Sequence, residues 1–169
     1  YDTLSVCAKN ADVFKQMIEN FDKRMITSSE LAHIIKTRKD IHVNVFTTSM
    51  GSGTRHTFEK LMEKEKYNLA KDTTLLFSED SDLPTVNRVG SPYLLLDSKA
   101  YCMKKLYASD VKAGKAVNLT VVNEVDKSPV LKPVYLYFMA YNDDGGNDLT
   151  VPKPIIRMMK KLNFEWGKK

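Results

Sequence analysis

The spacing of apolar residues changes several times along the chain, and each change marks an element. Thr3-Leu4-Ser5-Val6-Cys7-Ala8 alternates with a period of two, which predicts a strand ending at Lys9-Asn10. Phe14, Met17, Ile18 and Phe21 then fall at i, i+3, i+4 and i+7, the stripe of an amphipathic helix, with Asn10 placed to cap it. Thr27-Ser28-Ser29-Glu30 fits the S/T-x-x-E capping box ahead of Leu31, Ile34 and Ile35, so a second helix is predicted to run to about Thr37. Ile41, Val43 and Val45 alternate against His42 and Asn44, a strand over 41–47 that feeds the small-residue turn Thr48-Ser49-Met50-Gly51-Ser52-Gly53-Thr54. Phe58, Leu61 and Met62 share one face of the segment that follows, so the turn opens a helix. Strands are expected at Thr73–Phe77, Pro92–Leu96, Val117–Val122 and Val134–Ala140, a short helix or irregular edge at Ser98–Leu106, and a last helix at Pro152–Leu162. Strands alternating with helices predict an α/β fold with a mixed sheet flanked by helices.

Composition narrows this to one soluble globular domain, or at most two small lobes: the 169 residues are 43% hydrophobic and 28% charged. The longest apolar runs, Tyr93–Leu96 and Val134–Ala140, fall far short of the roughly 20 residues of a membrane-spanning helix. Lys and Arg outnumber Asp and Glu by 26 to 21, a net charge of +5, but the signs alternate, as in Glu63-Lys64-Glu65-Lys66. That pattern describes a solvated helix face. It lacks the concentrated basic footprint of a nucleic-acid binder, so no nucleic-acid partner is expected. The chain starts at Tyr1 without an initiator Met or an apolar leader, so any targeting segment is expected to lie upstream or to have been removed. Cys7 and Cys102 lack CxxC or CxxH spacing, which excludes a zinc knuckle and leaves one bridge or two buried free thiols, with free thiols the expectation.

Candidate chemistry concentrates at the turn before the third helix. A helix whose first turn is Ser-Gly-Thr presents unpaired amides, hydroxyl donors and the positive end of its dipole at one point, an anion-binding geometry. Arg55 can add a charge-assisted contact or pair with a carboxylate across a cleft. A plain alternative is that Ser52 or Thr54 only caps the helix.

The segment Phe46-Thr47-Thr48-Ser49-Met50-Gly51-Ser52-Gly53-Thr54-Arg55-His56-Thr57-Phe58-Glu59 resembles the ligand-binding turn of type 2 periplasmic solute-binding proteins. It is most similar to the phosphate-binding components of ABC transporters, and more distantly to the effector domains of LysR-type regulators. Thr3–Asn10 resembles the strand that crosses from the first lobe into the second, Ile26–Ile35 the helix that follows, Val130–Phe138 the returning strand, and the helix from Pro152 the closing helix. The resemblance implies one α/β domain over 1–169. About 9–130 form the second lobe of a Venus-flytrap protein, and 1–8 and 131–169 supply hinge strands and a closing helix of the first. It implies non-enzymatic binding of a small phosphate-like oxyanion by Ser52, Gly53 and Thr54, supported by Arg55 and with Thr48 alongside, without metal or cofactor. A membrane permease would be the partner. The implied location is periplasmic or extracellular, anchored as a lipoprotein in one form.

Where phosphate binders of this kind carry an Arg and an Asp just ahead of the turn, this chain has Thr48 and Met50. A protein-interaction or regulatory module that kept the fold and lost the ligand is therefore the second reading, and an effector domain beside a helix-turn-helix the third. His33, His42 and His56 form no HxxxH or HxH pair, and Ser52 with His56 lacks a third group to orient an imidazole. Gly51-x-Gly53 is too short for a dinucleotide fingerprint. Asn142–Asp148 and Glu79–Asp82 read as polar loops rather than calcium sites. Asn118-Leu119-Thr120 matches a glycosylation sequon on an expected strand, and Tyr135 to Phe138 reads as a strand buried on both faces.

Overall fold

A computed structural model describes residues 2–10, 12–78, 92–106 and 108–132, together with Pro154, Arg157 and Lys161. The chain forms two compact units, Tyr1–Val134 and Tyr135–Lys169. The first unit is an α/β structure with a mixed sheet flanked by helices. Its elements are β1 (Asp2–Lys9), α1 (Asp12–Lys15), β2 (Met25–Thr27), α2 (Ser28–Thr37), β3 (Asn44–Thr47), α3 (Gly53–Glu63), β4 (Leu76–Phe77), β5 (Tyr93–Ser98), α4 (Lys99–Lys105), α5 (Ala108–Lys112), β6 (Ala116–Val122) and β7 (Leu131–Lys132).

The sheet runs β2-β6-β1-β5-β3-β4, and β7 pairs with β1. β1 is antiparallel to both of its neighbours, β5 and β6, while β2 is parallel to β6, and β3 is parallel to β5 and to β4. One strand therefore runs against all the others on that path. Alternation along the strands sorts their side chains onto two covered faces. Leu4, Val6, Val45, Leu94, Leu96, Leu119 and Val121 meet Leu31, Ile34 and Ile35 of α2 and Phe58, Leu61 and Met62 of α3. Cys7, Phe46, Tyr93 and Leu95 meet Cys102 of α4 and Leu106 on the other face.

The stretch 1–8, expected as a hinge strand, lies largely in β1, where Leu4–Lys9 pair with β5 and Ser5–Lys9 with β6. Only Asp2 and Thr3 pair outward, with Lys132 and Leu131 of β7. Three expectations change. The stripe from Phe14 to Phe21 does not make one helix: α1 is a single turn, and Phe21–Lys23 is a separate 3₁₀ turn. Phe14, Ile18 and Phe21 still point inward, but Arg24 takes a left-handed φ of 57°, which ends the turn and delivers Met25 straight into β2. The strand foreseen over 41–47 is confined to β3 because the chain turns at His42, where φ is 55°. Finally, Cys7 and Cys102 are joined in a disulfide rather than left as free thiols. Cys7 faces α4, and the chain's return after β5 brings the two Cα atoms to 5.7 Å, within the bridging range.

The capping box stands as expected. Thr27 Oγ1 accepts from the Glu30 amide at 3.3 Å, and Glu30 Oε1 accepts from the Thr27 amide at 3.0 Å. Pro154, Arg157 and Lys161 are helical and exposed, at the spacing of one outward face of the helix foreseen over 152–162. The rest of that helix, the strand at Val134–Ala140 with Tyr135 and Tyr137, and the loops at Glu79–Asp82 and Asn142–Asp148 lie outside the described residues. Asn118 of the sequon sits inside β6 opposite Cys7, half-buried, with its side-chain oxygen covered.

Candidate functional site

β3 and β5 are parallel neighbours, with Thr47 opposite Leu96, so Thr48 and Asp97 leave the same end of the sheet side by side. That is the carboxyl end of parallel strands, where α/β sheets place ligands. The backbone then turns at Ser49–Ser52, the Ser52 amide donating to Ser49 O at 3.0 Å, and enters α3. A cleft of about 480 Å³ opens there, lined by Thr48, Ser52, Gly53, Thr54, Asp97, Tyr101, Lys105 and Lys132.

Ser52 is the N-cap of α3: its Oγ accepts from the Arg55 amide at 3.0 Å and is also hydrogen-bonded to Thr48 Oγ1. One hydroxyl thus serves both roles left open by the sequence, cap and cleft wall. The amides of Gly53 and Thr54 find no acceptor among the described residues, as the first turn of a helix dictates. Neither Gly51 nor Gly53 has a positive φ, so no backbone strain demands glycine. Nor does space demand it at Gly53, where an added Cβ would come to 3.8 Å from Lys132 Cε, an ordinary van der Waals contact on the cleft side.

Four of the five expected site residues, Thr48, Ser52, Gly53 and Thr54, line this cleft together. Arg55 does not. It is 2% exposed and turned inward, donating to Thr47 Oγ1 at 2.8 Å, to Leu69 O at 3.4 Å and to Glu59 Oε1 at 3.1 Å, with Phe77 beneath its guanidinium. On a helix, the residue after Thr54 is rotated by about 100°, which carries it from the cleft edge to the core face. Arg55 therefore ties α3 to β3 and β4, and its part in the site is to hold the helix in place. His56 is exposed, 3.7 Å from Glu59.

Three charged groups in the cleft were not foreseen. Lys132, the last residue of β7, donates to Thr54 Oγ1 at 2.7 Å and forms no ion pair among the described residues. Lys105, from α4, donates to Asp97 Oδ2 at 2.9 Å and to Ser78 Oγ at 3.0 Å. Asp97 is readable from sequence in retrospect, as an acid closing the apolar run Tyr93–Leu96 at a strand's carboxyl end. Lys132 carries no local signal, because it lies 78 residues from the hydroxyl it contacts.

The two capped helices differ in electrostatics. α2 has its amino end neutralised: Glu124 Oε1 accepts from the Ser29 amide at 2.7 Å, and Glu30 closes the capping box. Burial raises the Glu124 pKa, but the bonds from the Ser29 amide and the Ser28, Ser29 and Thr27 hydroxyls outweigh it and hold the carboxyl below its usual value. α3 has no acid in its first turn and instead has the Lys132 ammonium at its positive end. With Asp97 matched by Lys105, Lys132 is the cleft's one cation without an acidic partner among the described residues, and it stands beside the Gly53 and Thr54 amides. An ammonium and first-turn amides together are groups able to hold an anion.

Among the described residues, no three His, Cys, Asp or Glu side chains gather as a metal site, and no helix is long and apolar enough to cross a membrane. Comparison with family models, curated proteins and solved structures finds no match to the chain.

Proposed function

We propose that this chain is a lobe of a type 2 solute-binding protein that holds a phosphate-like oxyanion, without catalysis, at the amino end of α3. The observation that carries the reading is Lys132: an ammonium with no acidic partner among the described residues, set on the first-turn hydroxyl of a helix whose leading amides find no acceptor among them. The Gly53 and Thr54 amides, the Thr48, Ser52 and Thr54 hydroxyls and the Lys132 ammonium would surround the anion, and the helix dipole adds its positive end.

Two further features support the lobe and its setting. β1 and β7, the first and last of the described strands, lie side by side, Asp2 against Lys132 and Thr3 against Leu131, as the two strands of a hinge would. Lys132 thus belongs both to the cleft and to β7, which would couple ligand capture to closure of a second lobe and so to a membrane permease. The Cys7–Cys102 disulfide fits a periplasmic or extracellular location, because such bonds persist in oxidising compartments.

Calorimetry of the chain with inorganic phosphate tests the reading. Lys132→Met should weaken binding by about tenfold or more, the range for loss of a charge-assisted contact. Binding that is absent in the wild type, or equal in the variant, would reject the oxyanion seat and leave the ligand-free interaction module.

A further inference from the structure

The cleft is larger than the anion seat within it. Its volume of about 480 Å³ falls in the ~300–1,000 Å³ range of pockets that enclose small organic molecules. At ~30 Å³ per water it would hold about sixteen waters, several times what a tetrahedral oxyanion displaces. Thr48, Ser52, Gly53, Thr54 and Lys132 make the seat, and the remaining wall is Asp97, Tyr101 and Lys105.

Those three residues suit a different chemistry. Asp97 and Lys105 cancel each other's charge at 2.9 Å, so together they attract no second ion. Their hydrogen-bonding capacity is not used up. Among the described residues, the Asp97 carboxylate accepts from the Ser98 amide on one oxygen and from Lys105 on the other, half of its lone-pair positions, and the Lys105 ammonium gives protons to Asp97 and Ser78 with one left. An acceptor beside a donor matches a hydroxyl, which is both. A purely apolar group there would leave both unsatisfied and would be disfavoured. Tyr101 contributes an aromatic ring 54% exposed, with the Lys104 ammonium 5.3 Å from its centre. A half-exposed ring with a polar tip is the kind of surface that packs against the carbon skeleton of a polar molecule.

We propose that the cleft takes a phosphate monoester of a polyhydroxy compound, with the phosphate in the α3 seat, hydroxyls on the Asp97–Lys105 pair and the carbon skeleton against Tyr101. This rests on the oxyanion reading above and adds to it the class of molecule attached to the anion.

Calorimetry of the chain with inorganic phosphate, methyl phosphate and glucose 6-phosphate, at one pH and ionic strength, separates the two claims. Methyl phosphate carries the ester and the charge without hydroxyls. Glucose 6-phosphate should bind about tenfold tighter than methyl phosphate, and Tyr101→Ala should bring the ratio of their affinities to within about threefold. Tyr101 is exposed, so its replacement tests recognition without endangering the fold. Equal affinity for the two esters, or a ratio that survives both Tyr101→Ala and Asp97→Asn, overturns the polyhydroxy ligand while the phosphate seat stands. Failure of all three anions to bind overturns both.

Discussion

Arg38, Tyr67 and Thr74 converge on the carboxylate of Asp72, beneath the far end of α2. Arg38 Nη2 bonds Asp72 Oδ1 and Oδ2 at 3.0 and 2.8 Å, the Tyr67 hydroxyl donates to Oδ2, and the Thr74 amide donates to Oδ1 at 3.0 Å. Burial raises the Asp72 pKa, but the bonds from Tyr67 and Thr74 and the charge of Arg38 outweigh it and lower the pKa to about 2. The same contacts act on Tyr67 with opposite sign: burial first, then the Asp72 hydrogen bond and charge, push its phenol up to about 12 against the pull of Arg38. A folded pKa of about 2 against 3.8 unfolded means that ionised Asp72 contributes about 2 kcal/mol. That contribution is complete above about pH 4 and is lost as pH falls through about 2. In urea unfolding, Asp72→Asn should therefore be less stable than the wild type at pH 7, with the gap narrowing between pH 4 and 2. An equal gap at both ends would show that ionisation plays no part. Asp72 and Arg55 show why single residues were hard to read. Each is placed by partners from distant segments, Asp72 by Arg38 and Arg55 by Thr47 and Leu69, and no periodicity records those meetings.

Elements with their own stop and start chemistry were legible, and those shaped by neighbours were not. The capping box of α2 and the Ser52 cap of α3 are local devices and stand where the residues predict them. The stripe from Phe14 to Phe21 has no such device, and the demand that Met25–Thr27 pair with β6 breaks it into turns that still bury the same side chains. α4 is an intermediate case, foreseen as a short helix or an edge. It has seven residues and buries Cys102 alone, too little to hold a helix by itself, and the bond to Cys7 pins it to β1. Because α4 carries Tyr101 and Lys105, that bond also fixes one wall of the cleft. Closing a loop across a separation of 95 residues removes unfolded-state entropy worth about 4 to 5 kcal/mol, and loss of native bridges costs about 2 to 5 kcal/mol. The double variant Cys7→Ala/Cys102→Ala should lose stability within that range in guanidinium unfolding. A variant as stable as the wild type would mean that packing against Phe46, Tyr93 and Leu95 is enough to seat α4.

At the scale of the molecule, the α/β alternation was readable, but the direction of β1 was not. A period-two run says that a segment is a strand and gives neither its neighbours nor its sense. Only the pairing of β1 with β5 and β6 shows that it runs against the others, and only β7 shows that Leu131–Lys132 return beside the start of β1. One consequence can be tested directly. Among the described residues, the sheet strands, both apolar clusters, the disulfide and the residues that line the cleft lie within the unit Tyr1–Val134. A unit with its own core and its own paired strands has what independent folding requires. Residues 1–134 expressed alone should therefore unfold in one cooperative transition by circular dichroism, with the bridge formed and phosphate affinity within about threefold of the full chain. A broad transition with weak near-ultraviolet signal would show that the sheet depends on the unit from 135 to 169. A cooperative transition with lost affinity would place a missing part of the anion seat in that unit.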